Sequence, residues 1–193
     1  MQNLSKEKFF FFSEDCSEIK IVPNSIEHAY FAVLKKDLVS AKEIFNHHDN
    51  PRANWGVIFV SVLEGYMEKL PTYFQIRNFF EIDLDFLIKN GLIDYVENLL
   101  GAIEYFVERN QECYKFAARV MYENKFLSSA LKYMEKSKDI FYSDAELHFM
   151  FAKYYLNVHN YLEAQHYIKE CLKIIPDYYP AICMKQKIEE YIH

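Results

Sequence analysis

Two adjacent histidines followed by an aspartate, His47-His48-Asp49, are the only cluster of metal-ligand residue types in this sequence. Adjacent residues on a helix diverge by about 100°, so the two imidazoles do not face one ion, and no third His or Cys stands at a ligand spacing. The trio reads as a solvated helix end. His159 and His166 lie seven apart across a turn and a helix and converge no better. The carboxylate pairs Asp83 with Asp85 and Glu189 with Glu190 have spacings that spread them around a helix, whereas acid–base work needs groups aimed at one point. The sequence holds no Gly-rich phosphate loop, no GxSxG elbow and no Ser, His and Asp arrangement that recommends itself. The expectation is a non-enzyme with no cofactor and no metal.

The four cysteines, Cys16, Cys113, Cys171 and Cys183, show no CxxC or zinc-ribbon spacing. Each is expected to pack as a small buried hydrophobe in a reducing compartment, and only Cys171 and Cys183 stand where they could approach one another. The phenylalanine run at 9–12 is followed at once by Ser-Glu-Asp, too short for the apolar stretch of about 7–15 residues of a signal peptide. The longest mostly apolar run, 57–63, falls far short of the roughly 20 residues a membrane helix needs. A cytoplasmic protein with no membrane contact is expected. A net charge of −6 opposes binding to phosphate backbones, so nucleic acid is not the expected partner.

Any function must therefore rest on how the elements are arranged. With 193 residues, 51% hydrophobic and 18% aromatic, and with only 4 Gly and 5 Pro, the composition is one of long helices with few loops. Ser25 with Glu27 starts a helix carrying Ile26, Tyr30, Val33 and Leu34, and Leu38, Ala41, Ile44 and Phe45 form the stripe of the next. Helix-like spans at 52–69 and 71–89 follow, with Pro71 suited to a first turn. Asn90-Gly91 marks a helix end, and 92–108 reads as one long helix. Further helices are expected near 111–123, 127–137, 145–157, 161–174 and 180–192. Residues 1–24 do not share the helical period; they read either as two short strands about a turn or as phenylalanine cover for the open end of the helical stack.

The stretch 145–178 carries His148-x2-Phe151-Ala152-x2-Tyr155, then Ala164-x3-Ile168, then Pro176. It resembles the tetratricopeptide repeat (TPR), a helix–turn–helix unit of 34 residues, with His148 where the family usually has Trp, Ala152 for Gly and Ile168 for Phe. Stepping back 34 residues maps Ala152, Tyr155, Ala164 and Ile168 onto Ala118, Met121, Ala130 and Met134, and a further step gives Leu84, Leu87, Val96 and Leu100. The third unit keeps the spacing and loses the small residues; the register does not extend to Ala41. The resemblance implies an all-α fold, a right-handed superhelical stack of antiparallel hairpins. Its organisation is expected as an N-terminal extension at 1–24, irregular hairpins at 25–76, TPR-like repeats at 77–178 and a capping helix at 179–193, polar through Lys185, Gln186 and Glu189.

In that family the first helix of each unit lines a concave surface where peptides often bind, and the resemblance implies such a groove here. Its expected lining is Lys115, Arg119 and Tyr122, then Phe149, Lys153 and Leu156, then Lys187, so that Arg119, Lys153 and Lys187 recur every 34 residues as a basic ladder. The degenerate unit supplies Glu81, Asp85 and Ile88 instead. The expected function is a non-enzymatic module that binds a peptide or protein surface, with acidic groups beside an aromatic or aliphatic anchor. The readings kept beside it are a helical-repeat RNA-binding protein and a self-associating scaffold.

Overall fold

The computed structural model describes residues 22–192, so the readings of the phenylalanines at 9–12 and of strands near them lie outside the described residues. Among the described residues there are eleven α-helices and no strand. The chain divides into two compact units, Met1–Asn110 and Gln111–His193. A boundary expected between 76 and 77 falls inside a continuous helix.

The first unit holds α1 (Ile26–Leu34), α2 (Leu38–Asn46), α3 (Pro51–Leu63), α4 (Tyr73–Lys89), α5 (Ile93–Gly101) and α6 (Ile103–Val107). Side chains satisfy the orphan amides at four starts: Ser25 accepts from His28 N, Asp37 from Ser40 N, Asn50 from Ala53 N, and Thr72 forms a capping box with Gln75. Pro71 therefore lies just before the cap and not in the first turn; Pro51 occupies that position. The span expected at 52–69 ends at Leu63, where Gly65 takes a left-handed φ of 89°. The helix expected at 92–108 breaks at Ala102, directly after Gly101.

Nine of the thirteen residues of α3 are buried, on all sides, because α2, α4 and α5 all pack against it. That is why 57–63 reads as an unbroken apolar run rather than a stripe. Its Gly56 meets the Phe45 ring so closely that a Cβ there would lie 2.5 Å from two ring carbons.

The second unit holds α7 (Cys113–Glu123), α8 (Leu127–Ile140), α9 (Ala145–Asn157), α10 (Tyr161–Ile174) and α11 (Tyr179–Ile192). The three-residue connections after α7 and α9 reverse the chain, and α7 packs on α8, α9 on α10, and α10 on α11. Ala118, Ala130, Ala152 and Ala164 are fully buried where these helices approach. The 34-residue period is present in the backbone itself. Gly91, Lys125 and His159, spaced at that period, have φ of 69°, 68° and 59°. The amides that follow them close the same bond across the preceding helix end: Leu92 to Leu87, Phe126 to Met121 and Asn160 to Tyr155, at 3.0, 2.9 and 2.8 Å. On α11, Ala181 and Ile188 are buried while Lys185 pairs with Glu189 at 3.9 Å.

Candidate protein-interaction site

Two of the expected groove cations serve the fold instead. Lys115 is buried, with its Nζ 2.7 Å from Asp144, 3.0 Å from Glu112 and 3.2 Å from Glu146. Burial alone would lower its pKa, but the hydrogen bonds to Asp144 and Glu112 outweigh that and hold it above the ordinary lysine value. Burial likewise pushes Asp144 up, and Lys115 more than reverses it, leaving the carboxyl below its ordinary value. Asp144 also caps α9 by accepting from Leu147 N at 3.1 Å, so Lys115 fastens α7 to the start of α9. Arg119 donates to Glu146 at 2.6 Å and lies over the Phe116 ring. The ladder expected from Arg119, Lys153 and Lys187 thus has one rung whose charge is already matched.

The remaining cations stand in a cleft of about 420 Å³ lined by Tyr122, Lys153, Leu156, Asn157, His159, Tyr161, Met184, Lys187 and Tyr191. Helices α7, α9 and α11 and the α9–α10 turn supply these side chains. Tyr122 donates from its hydroxyl to the Lys153 carbonyl at 3.1 Å, and the Lys153 ammonium lies 5.0 Å from the centre of the Tyr122 ring. Across the lining, Tyr161 stacks on Tyr191 with ring centres 5.0 Å apart and planes 10° from parallel, and His159 Nδ1 meets the Tyr161 hydroxyl at 3.1 Å. No carboxylate lines the cleft, and among the described residues neither Lys153 nor Lys187 is ion-paired. Phe149 is not in the lining; it packs edge-on against Tyr178 at 5.3 Å.

Sequence periodicity reached Tyr122, Lys153, Leu156 and Lys187 because they occupy one stripe at one spacing. It missed Asn157, His159, Tyr161, Met184 and Tyr191, which enter from a turn, from the start of α10 and from another face of α11. The only signal for His159 was its place one period after Gly91 and Lys125.

Elsewhere the chemistry-bearing types are engaged structurally. His47 Nδ1 lies 2.8 Å from the Glu43 carbonyl and His48 Nε2 lies 2.6 Å from the Asn24 carbonyl. No group of His, Cys, Asp and Glu among the described residues could hold a metal ion. Cys113 and Cys171 are free and buried, and burial pushes the Cys171 thiol up to about 11. Cys183 is free and exposed, contrary to the expectation of burial. Asp83, expected to point away from Asp85 and into nothing in particular, is a fully buried carboxylate. A second cleft, of about 670 Å³, lies in the first unit between the 65–70 connection and α5, with Gly101, Ala102 and Tyr105 along one wall. Among the described residues no helix is long and apolar enough to cross a membrane.

No family model matches the chain, and neither a curated protein nor a solved structure matches it.

Proposed function

We propose that the chain is a non-enzymatic, cytoplasmic protein-interaction module, a TPR-like stack of helical hairpins that holds a peptide or protein surface against α7, α9 and α11. The observation that carries this reading is the cleft in the second unit: aromatic walls, an aliphatic floor and two ammonium groups with no counter-charge. Unmatched cations beside apolar surface cost little in water and gain a partner on binding, which is the composition of an interface and not of a core. The backbone recurrence at 91, 125 and 159 supports a repeat architecture, in which stacked units present one continuous face.

A photo-crosslinking residue at Leu156, expressed in the native cell, tests the reading. A covalent protein adduct at Leu156, with none at Lys132 on α8, is the expected result. Adducts at both sites alike, or at neither, would remove the cleft from consideration.

A further inference from the structure

Which chemistry the cleft selects follows from the charges the fold has already used. Three cations recur at the repeat period, but Glu146 matches Arg119 at 2.6 Å, and the carboxylates nearest α7 are committed to Lys115. Lys153 and Lys187 remain, in a lining with no acid and in a chain of net charge −6. We infer that the cleft takes an acidic peptide segment, in which two neighbouring carboxylates meet Lys153 and Lys187 and an adjacent aromatic or aliphatic side chain lies on Tyr122, Leu156 and Met184. This inference rests on the chain being a protein-interaction module.

Two lysines favour this occupant over a single carboxylate held by a fork. An ammonium is a compact charge without the planar geometry by which arginine grips one carboxylate with two bonds, so two separate lysines are best matched by two separately placed anions. One carboxylate would leave a positive charge unmatched. The space sets the other half of the ligand. At about 420 Å³ the cleft is at the small end of ligand pockets, which run from roughly 300 to 1,000 Å³, so it suits one anchored side chain with its adjoining backbone rather than a whole helix. The walls are prepared for it: the Tyr122 hydroxyl is held by the Lys153 carbonyl, and Tyr161 and Tyr191 hold one another by stacking. Met184 supplies an adaptable surface, so the anchor need only be apolar. The charges then set orientation and association rate, and the anchor supplies most of the affinity.

The test is selection of short random peptides on the immobilised full chain, followed by fluorescence anisotropy of the enriched sequences. Enrichment of paired Asp or Glu beside Phe, Tyr, Leu or Met is expected. The enriched peptide should bind about tenfold more weakly to Lys153→Gln with Lys187→Gln, and about tenfold more weakly to wild type when its acids become Asn and Gln. Lys153→Arg with Lys187→Arg, which keeps both charges, should restore binding and exclude a folding defect as the cause. Peptides that bind with no acidic preference, yet lose binding in Leu156→Ala, would overturn this inference and leave the interaction module standing. If no peptide is enriched while a protein adduct forms at Leu156, the acidic-peptide inference falls alone; if neither appears, both fall.

Discussion

Arg52 places its Nη2 2.5 Å from Oδ1 of Asp83, in the interior of the first unit. The other oxygen of Asp83 accepts from Trp55 Nε1 at 2.5 Å and from the Tyr30 hydroxyl at 3.0 Å, so one carboxylate ties α1 and α3 to α4. The guanidinium lies 4.8 Å from the ring centres of both Tyr30 and Phe79. Burial pushes the Asp83 carboxyl above its ordinary value, with Arg52, Trp55 and Tyr30 pulling the other way. A buried pair holds little net stability against an apolar replacement but is costly to break from one side. Asp83→Leu is therefore expected to cost about 3–5 kcal/mol, since it strands three donors. Adding Arg52→Met should recover most of that loss in urea unfolding. A single-substitution cost under about 1 kcal/mol would mean the three donors find water instead.

Gly56→Ala tests the closest approach of α2 to α3. In an exposed helix the change gains about 1 kcal/mol from propensity. Here the new methyl meets the fully buried Phe45 ring, and overpacking of that kind costs about 1–3 kcal/mol. The expected result is net destabilisation, read as a lower urea midpoint with an unchanged slope. A rise in midpoint would show that the ring turns aside freely.

In the second unit, Ala152→Leu and Ala164→Leu should each cost roughly 1–3 kcal/mol, because both side chains are fully buried between packed helices. Thermal unfolding of the two variants checks this. Neutral behaviour at both positions would contradict the close approach of α9 and α10.

His148 gives the unit a pH dependence. Its ring is buried, Nε2 meets the Tyr142 carbonyl at 2.9 Å, and Nδ1 is buried with no hydrogen-bond partner. Burial holds the imidazole below the ordinary value of 6.5, an effect to which Lys138 adds and which Glu170 and Asp144 oppose. The unfolded chain thus takes up the proton first. The stabilisation is complete above pH 6.5 and is lost as pH falls through the lower folded value. His148→Gln should flatten the decline of the urea midpoint on the acid side of pH 6.5 relative to wild type; parallel curves would assign the decline to other groups.

Arg119 and Lys153, one period apart, should respond differently to charge reversal. Arg119→Glu places a carboxylate beside Glu146 and removes an ion pair, a loss of about 0.2–1 kcal/mol for a largely exposed pair. Lys153→Glu breaks no ion pair and should leave the melting temperature unchanged while removing peptide binding. Equal destabilisation by both would mean that Lys153 is also a structural charge.

Local periodicity determined a good deal of this protein from sequence alone. The apolar spacing over 113–192 places the helices of the second unit to within a few residues, because side chains repeat on one face every three to four positions whatever the neighbours do. Ser25 as a cap, Gly91 as a helix end and Pro176 as a stop were legible too, since each acts through its own backbone chemistry. Tertiary structure alone decided which charges are free. Lys115, Arg119, Lys153 and Lys187 are alike in sequence as cations on the first helices of successive hairpins, but only the fold brings Glu112, Asp144 and Glu146 to the first two. An ion pair depends on where side chains from distant positions meet, and helical spacing holds no information on that. The same reason hid Asp83, whose partners at 30, 52 and 55 come from other helices, and it hid Tyr161 and Tyr191, which complete the cleft from opposite sides.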